Sequence, residues 1–366
     1  MAGPRITAKE RPERILIFPE AKVGDIICTT PVFKSILSHI PNATITLFED
    51  SAIVKDVLKD SGLIHGYLSF RGATGEVISR VKKEKFDCGL LIMPSFRVLA
   101  IMYLSGIPTI VAPEIVNGIS PTETRLYKRL KKFVTVVPYE MGKYAPRERL
   151  RVLEPLGIHE TNTTKILAYS KEAEEAVRVF MVEHEIKHGE DFIVGISPAT
   201  GSKIKQWPPE RFAELAEYLY KKYSAKIIII GAKNDKTEIE EVMANLSQGT
   251  KVINAYNKLN LDETKALISK LNLFIAADTG PIYIAEAFNV PTIDIVGPVD
   301  EREQPPIGRF HKVVVTKRDK AEIHIMNSRM YDEKETRRQT EDISVAQVIA
   351  VFEELRGDLN GEIKGK

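Results

Sequence analysis

A chain of 366 residues with 43% apolar and 28% charged side chains can support roughly two ordinary domains, each with its own core. A net charge of +2 excludes a globally basic nucleic-acid binder, so any anion-binding face has to be local. Two cysteines, Cys28 and Cys88, set in apolar surroundings and outside any metal-ligand spacing, exclude a disulfide scaffold and read as buried thiols.

Met1 to Glu13 is polar and basic and is expected to be a frayed arm without the apolar core of a signal peptide. Arg14 to Phe18 reads as the first strand. Gly24 and Asp25 turn the chain into one helix bearing Ile26, Ile27, Val32, Phe33, Ile36 and Leu37, with Pro31 early in it. Further strands are expected at Thr44 to Phe48, Cys88 to Met93, Thr109 to Ala112 and Val134 to Val137. Helices are expected between them at Ile53 to Lys59, Gly75 to Glu84, Phe96 to Leu104 and Thr122 to Lys132. Such alternation implies right-handed crossovers and a parallel sheet. The stretch TRLYKRLKK, Thr124 to Lys132, interleaves Arg125, Lys128, Arg129, Lys131 and Lys132 with Leu126, Tyr127 and Leu130. It reads either as a basic amphipathic face for a membrane surface or an anionic acceptor, or as a solvated helix face.

Pro146 to Leu156 reads as a helix stopped by Gly157, and the polar Ile158 to Lys171 as the domain boundary. The expected division is 1–165, 166–345 and a C-terminal helix and tail over 346–366. A helix at Glu172 to His184 leads to a strand at Phe192 to Ile196. The following loop, Ser197 to Pro209, holds Thr200, Gly201, Lys203, Lys205 and Trp207 ahead of a helix at Glu210 to Lys222. A loop after a parallel strand lies at the carboxyl edge of the sheet, where open α/β folds bind ligands. The pattern repeats with a strand at Lys226 to Ile230, then Gly231-Ala232 and Asp235. Another strand is expected at Lys251 to Asn254 and a helix at Asp262 to Leu271. Beyond Thr292 to Val296 and Gly297-Pro298 only Ile343 to Leu355 reads as firmly helical, and the tail from Arg356 is expected to be disordered.

One stretch organises this half. Leu273 to Phe288, LFIAADTGPIYIAEAF, begins with an uninterrupted apolar strand. Asp278 and Thr279 are good helix-capping residues, Gly280 allows an unusual backbone angle, and Pro281 suits a first helical turn. The N–H groups of such a helix start favour a phosphate. Arg14 to Thr30 echoes it near the front of the chain. The expectation is two strand-to-helix turns facing each other across a cleft, one holding an anionic ligand and the other carrying Asp25.

These residues together resemble glycosyltransferase family 9, the lipopolysaccharide heptosyltransferases. The likeness runs from about Arg14 to Gly308 and rests on four motifs in order. They are Gly24-Asp25 with Thr30-Pro31, then Lys205 with Trp207-Pro208, then Asp278-Thr279-Gly280-Pro281, then Gly297-Pro298. Relatives usually carry His two residues after the Pro of the third motif, where this chain has Tyr283, and most have Ser before the first, where it has Ala21-Lys22-Val23. The cysteine-containing segment near the C-terminus of many members is absent.

The resemblance implies an α/β protein of the GT-B fold, two Rossmann-like parallel-sheet domains facing a central cleft, with donor on the C-terminal and acceptor on the N-terminal domain. It implies transfer of heptose from ADP-heptose to an anionic, lipid-linked lipopolysaccharide core saccharide, with inversion. No metal is required, although Mg²⁺ could assist. Asp25 is then the general base. Lys205 and the Thr279-Gly280 helix start hold the diphosphate beside Thr200 and Gly201, Asp278 orders that loop, and Asp235 meets the ribose. Lys22, Arg71 and Arg97 are the candidates for acceptor contacts. No nucleic-acid partner is expected. The location implied is cytoplasmic, with peripheral association at the inner face of the inner membrane. Trp207 is expected to pack at the domain seam. An aspartic protease also carries Asp-Thr-Gly, but on a β-rich loop and as a pair, and no second copy exists here. Two alternatives stay open: a GT-B enzyme with another sugar nucleotide or a protein or O-antigen acceptor, and a non-catalytic nucleotide-sugar-binding protein.

Overall fold

The computed structural model describes residues 12–364. Most of the arm expected over Met1 to Glu13 lies outside them, and Glu13 itself is held, its N–H donating to Asp87 Oδ2 at 3.1 Å. Contacts divide the chain into two units. The first comprises residues up to Ile166 together with Arg302–Gln304 and His324–Arg329, and the second comprises the remainder.

The first unit contains β1 (Arg14–Phe18), β2 (Thr44–Leu47), β3 (Gly66–Tyr67), β4 (Cys88–Leu91), β5 (Thr109–Ile115) and β6 (Thr135–Tyr139). They form one all-parallel sheet in the order β3-β2-β1-β4-β5-β6. The apolar runs of β1 and β4 lie at its centre, where Ile15, Leu16, Ile17, Leu90 and Leu91 are fully buried, as strands covered on both faces require. Helices Phe96–Leu104 and Thr74–Glu84 close one face over Leu16, Val77, Leu99 and Met102. Cys28 and Cys88 are both buried and form no disulfide, as expected.

The second unit contains β7 (Ile193–Ser197), β8 (Lys226–Ile229), β9 (Val252–Asn254), β10 (Leu273–Ala277), β11 (Thr292–Val296) and β12 (His311–Val315). This sheet is also all-parallel, in the order β12-β11-β10-β7-β8-β9. Renumbered from its own first strand, it has the same 3-2-1-4-5-6 order as the first sheet. Each sheet therefore reverses its winding once, between β1 and β4 and between β7 and β10. The crevice at the carboxyl ends of such neighbours is where a doubly wound sheet takes its ligand. Asp25 follows β1, the Pro198–Gln206 loop follows β7, and Asp278 follows β10.

Several expectations change. The single helix expected after Gly24 is two, Val23–Ile27 and Thr30–His39. Pro31 has no N–H for the Ile27 carbonyl, and the Thr30 hydroxyl donates to it instead, at 2.7 Å. Helices Lys236–Ala244 and Glu333–Glu341 were not expected, because charged and polar residues dominate them, and neither was the short, mostly half-buried edge strand β12. The tail expected to be disordered from Arg356 is helical as far as Lys364, within helix Val345–Lys364, and its last two residues lie outside the described ones. Leu355 is buried, Arg356 lies over the Tyr223 ring at 4.3 Å, and Lys312 pairs with Glu354 and Asp358 at 2.6 and 3.2 Å. Among the described residues no helix is long and apolar enough to cross a membrane.

Candidate active site

In the first unit the turn after β1 is built around a buried ion pair. Asp25 lies in the short helix Val23–Ile27 and is 8% exposed. Its Oδ1 accepts from Nη2 of Arg149 at 2.6 Å. Arg149 Nη1 donates to the Asp25 carbonyl at 2.8 Å and to the Thr29 hydroxyl at 3.3 Å. The arginine comes from helix Ala145–Leu150 and is 1% exposed. Burial opposes its charge, the Asp25 carboxylate more than restores it, and the guanidinium pKa lies above its ordinary value. One carboxylate oxygen is thus fixed in place, and the Asp25 side chain keeps a small opening to solvent.

Glu20 joins this cluster from the segment just after β1. Burial pushes its carboxyl up to about 7, the Asp25 charge adds to the shift, and Arg149 and Lys22 oppose it. Lys22 Nζ lies 3.5 Å from Glu20 and is otherwise open to solvent. Arg71 and Arg97 are bonded elsewhere. Arg71 forks onto Glu49 at 2.9 and 3.0 Å and reaches Asp50 at 2.9 Å, and Arg97 donates to the Gly72 carbonyl at 2.6 Å. The two arginines brace the loops after β2 and β3, with no bond to the Asp25 cluster.

In the second unit Lys205 and Asp278 meet across 73 residues. Lys205 Nζ donates to Asp278 Oδ2 at 2.6 Å and to the Asp278 carbonyl at 2.8 Å. An ammonium has three donors, so one remains for a ligand. The Tyr283 hydroxyl donates to the other carboxylate oxygen at 3.2 Å. Asp278 thus orders the loop ahead of helix Gly280–Ala287 through its carboxylate rather than by capping. Thr279 is the N-cap residue without a side-chain cap, and Gly280 is already helical, so neither the expected cap nor an unusual glycine angle is present. The first N–H groups of this helix have no capping side chain to satisfy them. The Thr200 hydroxyl is turned onto the Ser202 carbonyl at 2.6 Å, and the space beside Gly201 is open. Asp235 accepts from the Ala232 N–H at 2.7 Å, and burial raises its carboxyl pKa.

Besides Glu20, three residues here escaped the sequence reading. Asp294, at the middle of β11, is 1% exposed, and its Oδ1 has no hydrogen-bond partner among the described residues. Burial and the nearby Asp278 charge raise its carboxyl pKa well above the ordinary range. A lone Asp in the apolar run TIDIV was the available signal. Arg318 ties down the loop after β11 through the Gly297 and Val299 carbonyls and Glu301. Arg149 is the third, and nothing in its local sequence marks it. Trp207 was expected at a domain seam but packs inside the second unit's core, its indole donating to the Ile343 carbonyl at 2.8 Å.

Residues 152–331 match the model of the family described as Glycosyltransferase family 9 (heptosyltransferase). Lipopolysaccharide heptosyltransferase 3 of Escherichia coli is 23% identical over 289 residues, covering 76% of this chain and 81% of that protein. A glycosyl transferase family 9 structure from Veillonella parvula superposes with a TM-score of 0.71 at 20% identity, covering 94% of this chain and 97% of that one. The E. coli ADP-heptose lps heptosyltransferase II structure gives a TM-score of 0.71 at 17% identity, covering 93% and 98%. These likenesses identify the two 3-2-1-4-5-6 sheets as the GT-B fold. Residues 152–331 belong to glycosyltransferase family 9, the heptosyltransferases, and the chain is a glycosyltransferase.

Proposed function

We propose that this protein transfers heptose, with inversion, from ADP-heptose to an anionic lipid-linked saccharide of the lipopolysaccharide core. The observation that carries the reading is the Asp25 carboxylate, nearly buried and held by Arg149 through one oxygen at a doubly wound sheet's ligand edge. A base of this kind has to be placed before it can act, and a single carboxylate suffices for an inverting displacement. The second oxygen of Asp25 takes the acceptor hydroxyl's proton as the acceptor oxygen bonds to the anomeric carbon. The bond from that carbon to the diphosphate breaks, and ADP leaves with the electron pair. Lys205 and the N–H groups at the start of helix Gly280–Ala287 receive the new phosphate charge. In this reading Thr200 and Gly201 line the diphosphate and Asp235 meets the ribose. Lys22, the exposed basic group of the Asp25 cluster, faces the acceptor, while Arg71 and Arg97 contribute only by leaving their present partners. The acceptor being lipid-linked, the protein works peripherally at a membrane surface.

Calorimetry of ADP, UDP and GDP against the wild type, Lys205→Ala and Asp25→Asn, with turnover on ADP-heptose, tests this reading. The expected result is selective ADP binding without added metal, weakened about tenfold or more by Lys205→Ala through loss of a charge-assisted bond. Asp25→Asn should keep ADP affinity and lose at least about a hundredfold in turnover. Preference for UDP or GDP would remove the heptose donor, and normal turnover by Asp25→Asn would remove the base.

A further inference from the structure

Helix Arg125–Leu130 and the turn Lys131–Phe133 leave two adjoining stripes uncovered in the first unit. Phe133 is 70% exposed and Leu126 50%, one helical stripe apart. Helix Phe96–Leu104 packs against this helix and adds Tyr103 and Leu104, themselves 43% and 55% exposed. The Tyr103 and Phe133 rings are 6.2 Å apart, which joins the exposed apolar side chains of the two elements. Beside it runs a second stripe, Arg125, Arg129 and Lys132, all exposed and without a carboxylate partner among the described residues. The neighbouring carboxylates are already neutralised, because Lys131 bonds Glu123 at 2.5 Å and Glu114 at 2.9 Å, and Lys128 lies 3.5 Å from Glu123. A merely solvated helix face does not account for four large apolar side chains turned outward together.

We infer that this face docks the protein onto an anionic lipid bilayer, with Phe133, Leu126, Leu104 and Tyr103 entering the headgroup region and Arg125, Arg129 and Lys132 meeting lipid phosphates. Charge complementarity selects the occupant. An aromatic and aliphatic patch flanked by unneutralised arginine and lysine is the composition that binds in the plane of an anionic interface. The inference rests on the lipid-linked acceptor proposed above and supplies the surface that brings the enzyme to it.

The test is flotation of the full chain with vesicles of phosphatidylcholine, and of phosphatidylcholine and phosphatidylglycerol in equal parts, at low and high salt. Wild type should float with the anionic vesicles only, less so in high salt. Arg125→Glu with Arg129→Glu, and separately Leu126→Ser with Phe133→Ser, should each weaken that binding by about tenfold or more. Both variants should retain the wild-type melting transition and ADP affinity, because these side chains are exposed and belong to the first unit, whereas the donor loops belong to the second. A Phe133→Cys protein carrying a polarity-sensitive dye should shift its emission to the blue on adding anionic vesicles, which reads the contact without disabling it. Equal flotation by all variants, no preference for anionic vesicles, or a dye that does not respond would overturn the inference. So would a wild-type dimer that Leu126→Ser with Phe133→Ser dissociates, since the face would then be covered by a second copy. Loss of ADP binding by the wild type would instead strike the proposed donor and leave the flotation result to stand alone.

Discussion

Replacing Arg149 with Met tests whether the Asp25 site is held by its buried ion pair. Methionine keeps most of the chain volume and removes three hydrogen bonds, two of them to Asp25 at 2.6 and 2.8 Å and one to Thr29 at 3.3 Å. Bonds to a charged partner contribute roughly 1.5–3 kcal/mol each, and breaking a buried pair from one side costs roughly 3–5 kcal/mol. The expected loss for Arg149→Met is therefore about 4 kcal/mol, most of it the cost of leaving Asp25 buried without its cation. Asp25→Asn made in the Arg149→Met background removes that stranded charge and should recover much of the loss. Urea unfolding of the wild type, both single variants and the double variant gives the coupling directly, and about 3 kcal/mol is expected. A coupling below about 0.5 kcal/mol would refute the reasoning, since the pair would then be geometry without energy.

Glu20 gives a pH prediction with a definite sign. Its folded-state pKa of about 7 lies above the ordinary 4.5, so the neutral form is the one the fold favours. That contribution is complete below about pH 4.5 and is lost as pH rises through 7, up to roughly 3 kcal/mol. Glu20→Gln should thus be more stable than the wild type at pH 8 and equal to it at pH 4, and equal stability at both would remove the shift. Ionisation of Glu20 also adds negative charge beside Asp25, so turnover should show an inflection near pH 7 in the wild type that Glu20→Gln loses. Gly297→Ala should destabilise by roughly 1–3 kcal/mol, because its new methyl would lie 2.2 Å from the Thr340 hydroxyl and 3.2 Å from the Thr340 Cα, which no rotamer relieves. An unchanged denaturation midpoint would show that the second unit yields there and that this motif glycine answers to something other than packing.

The central strands were legible because their signal is local. β10 and β11 begin and end where their apolar runs do, at Leu273–Ala277 and Thr292–Val296, and β1 likewise at Arg14–Phe18. Asp25 and Asp278 were legible as turn residues after such strands, and each follows a strand at the carboxyl edge of its own doubly wound sheet. Edge and charged elements were not legible. In β12 only Val314 is buried, and helix Glu333–Glu341 reads as polar, so neither carries the periodicity that marks a buried face.

The sequence by itself determined that two α/β units form, where their inner strands run, and which turns end in an acid followed by a helix, because backbone propensity and short-range pattern decide those. Tertiary structure alone decided which charges meet. Arg149 stands 124 residues from Asp25 and Lys205 stands 73 from Asp278, and no local pattern encodes either pair. The same distance effect took Arg71 and Arg97 onto Glu49, Asp50 and the Gly72 carbonyl, and it made Glu20 and Asp294 unusual acids by burying them beside other carboxylates. Burial and neighbouring charge set a side chain's protonation and reach, and both are properties of the packed fold.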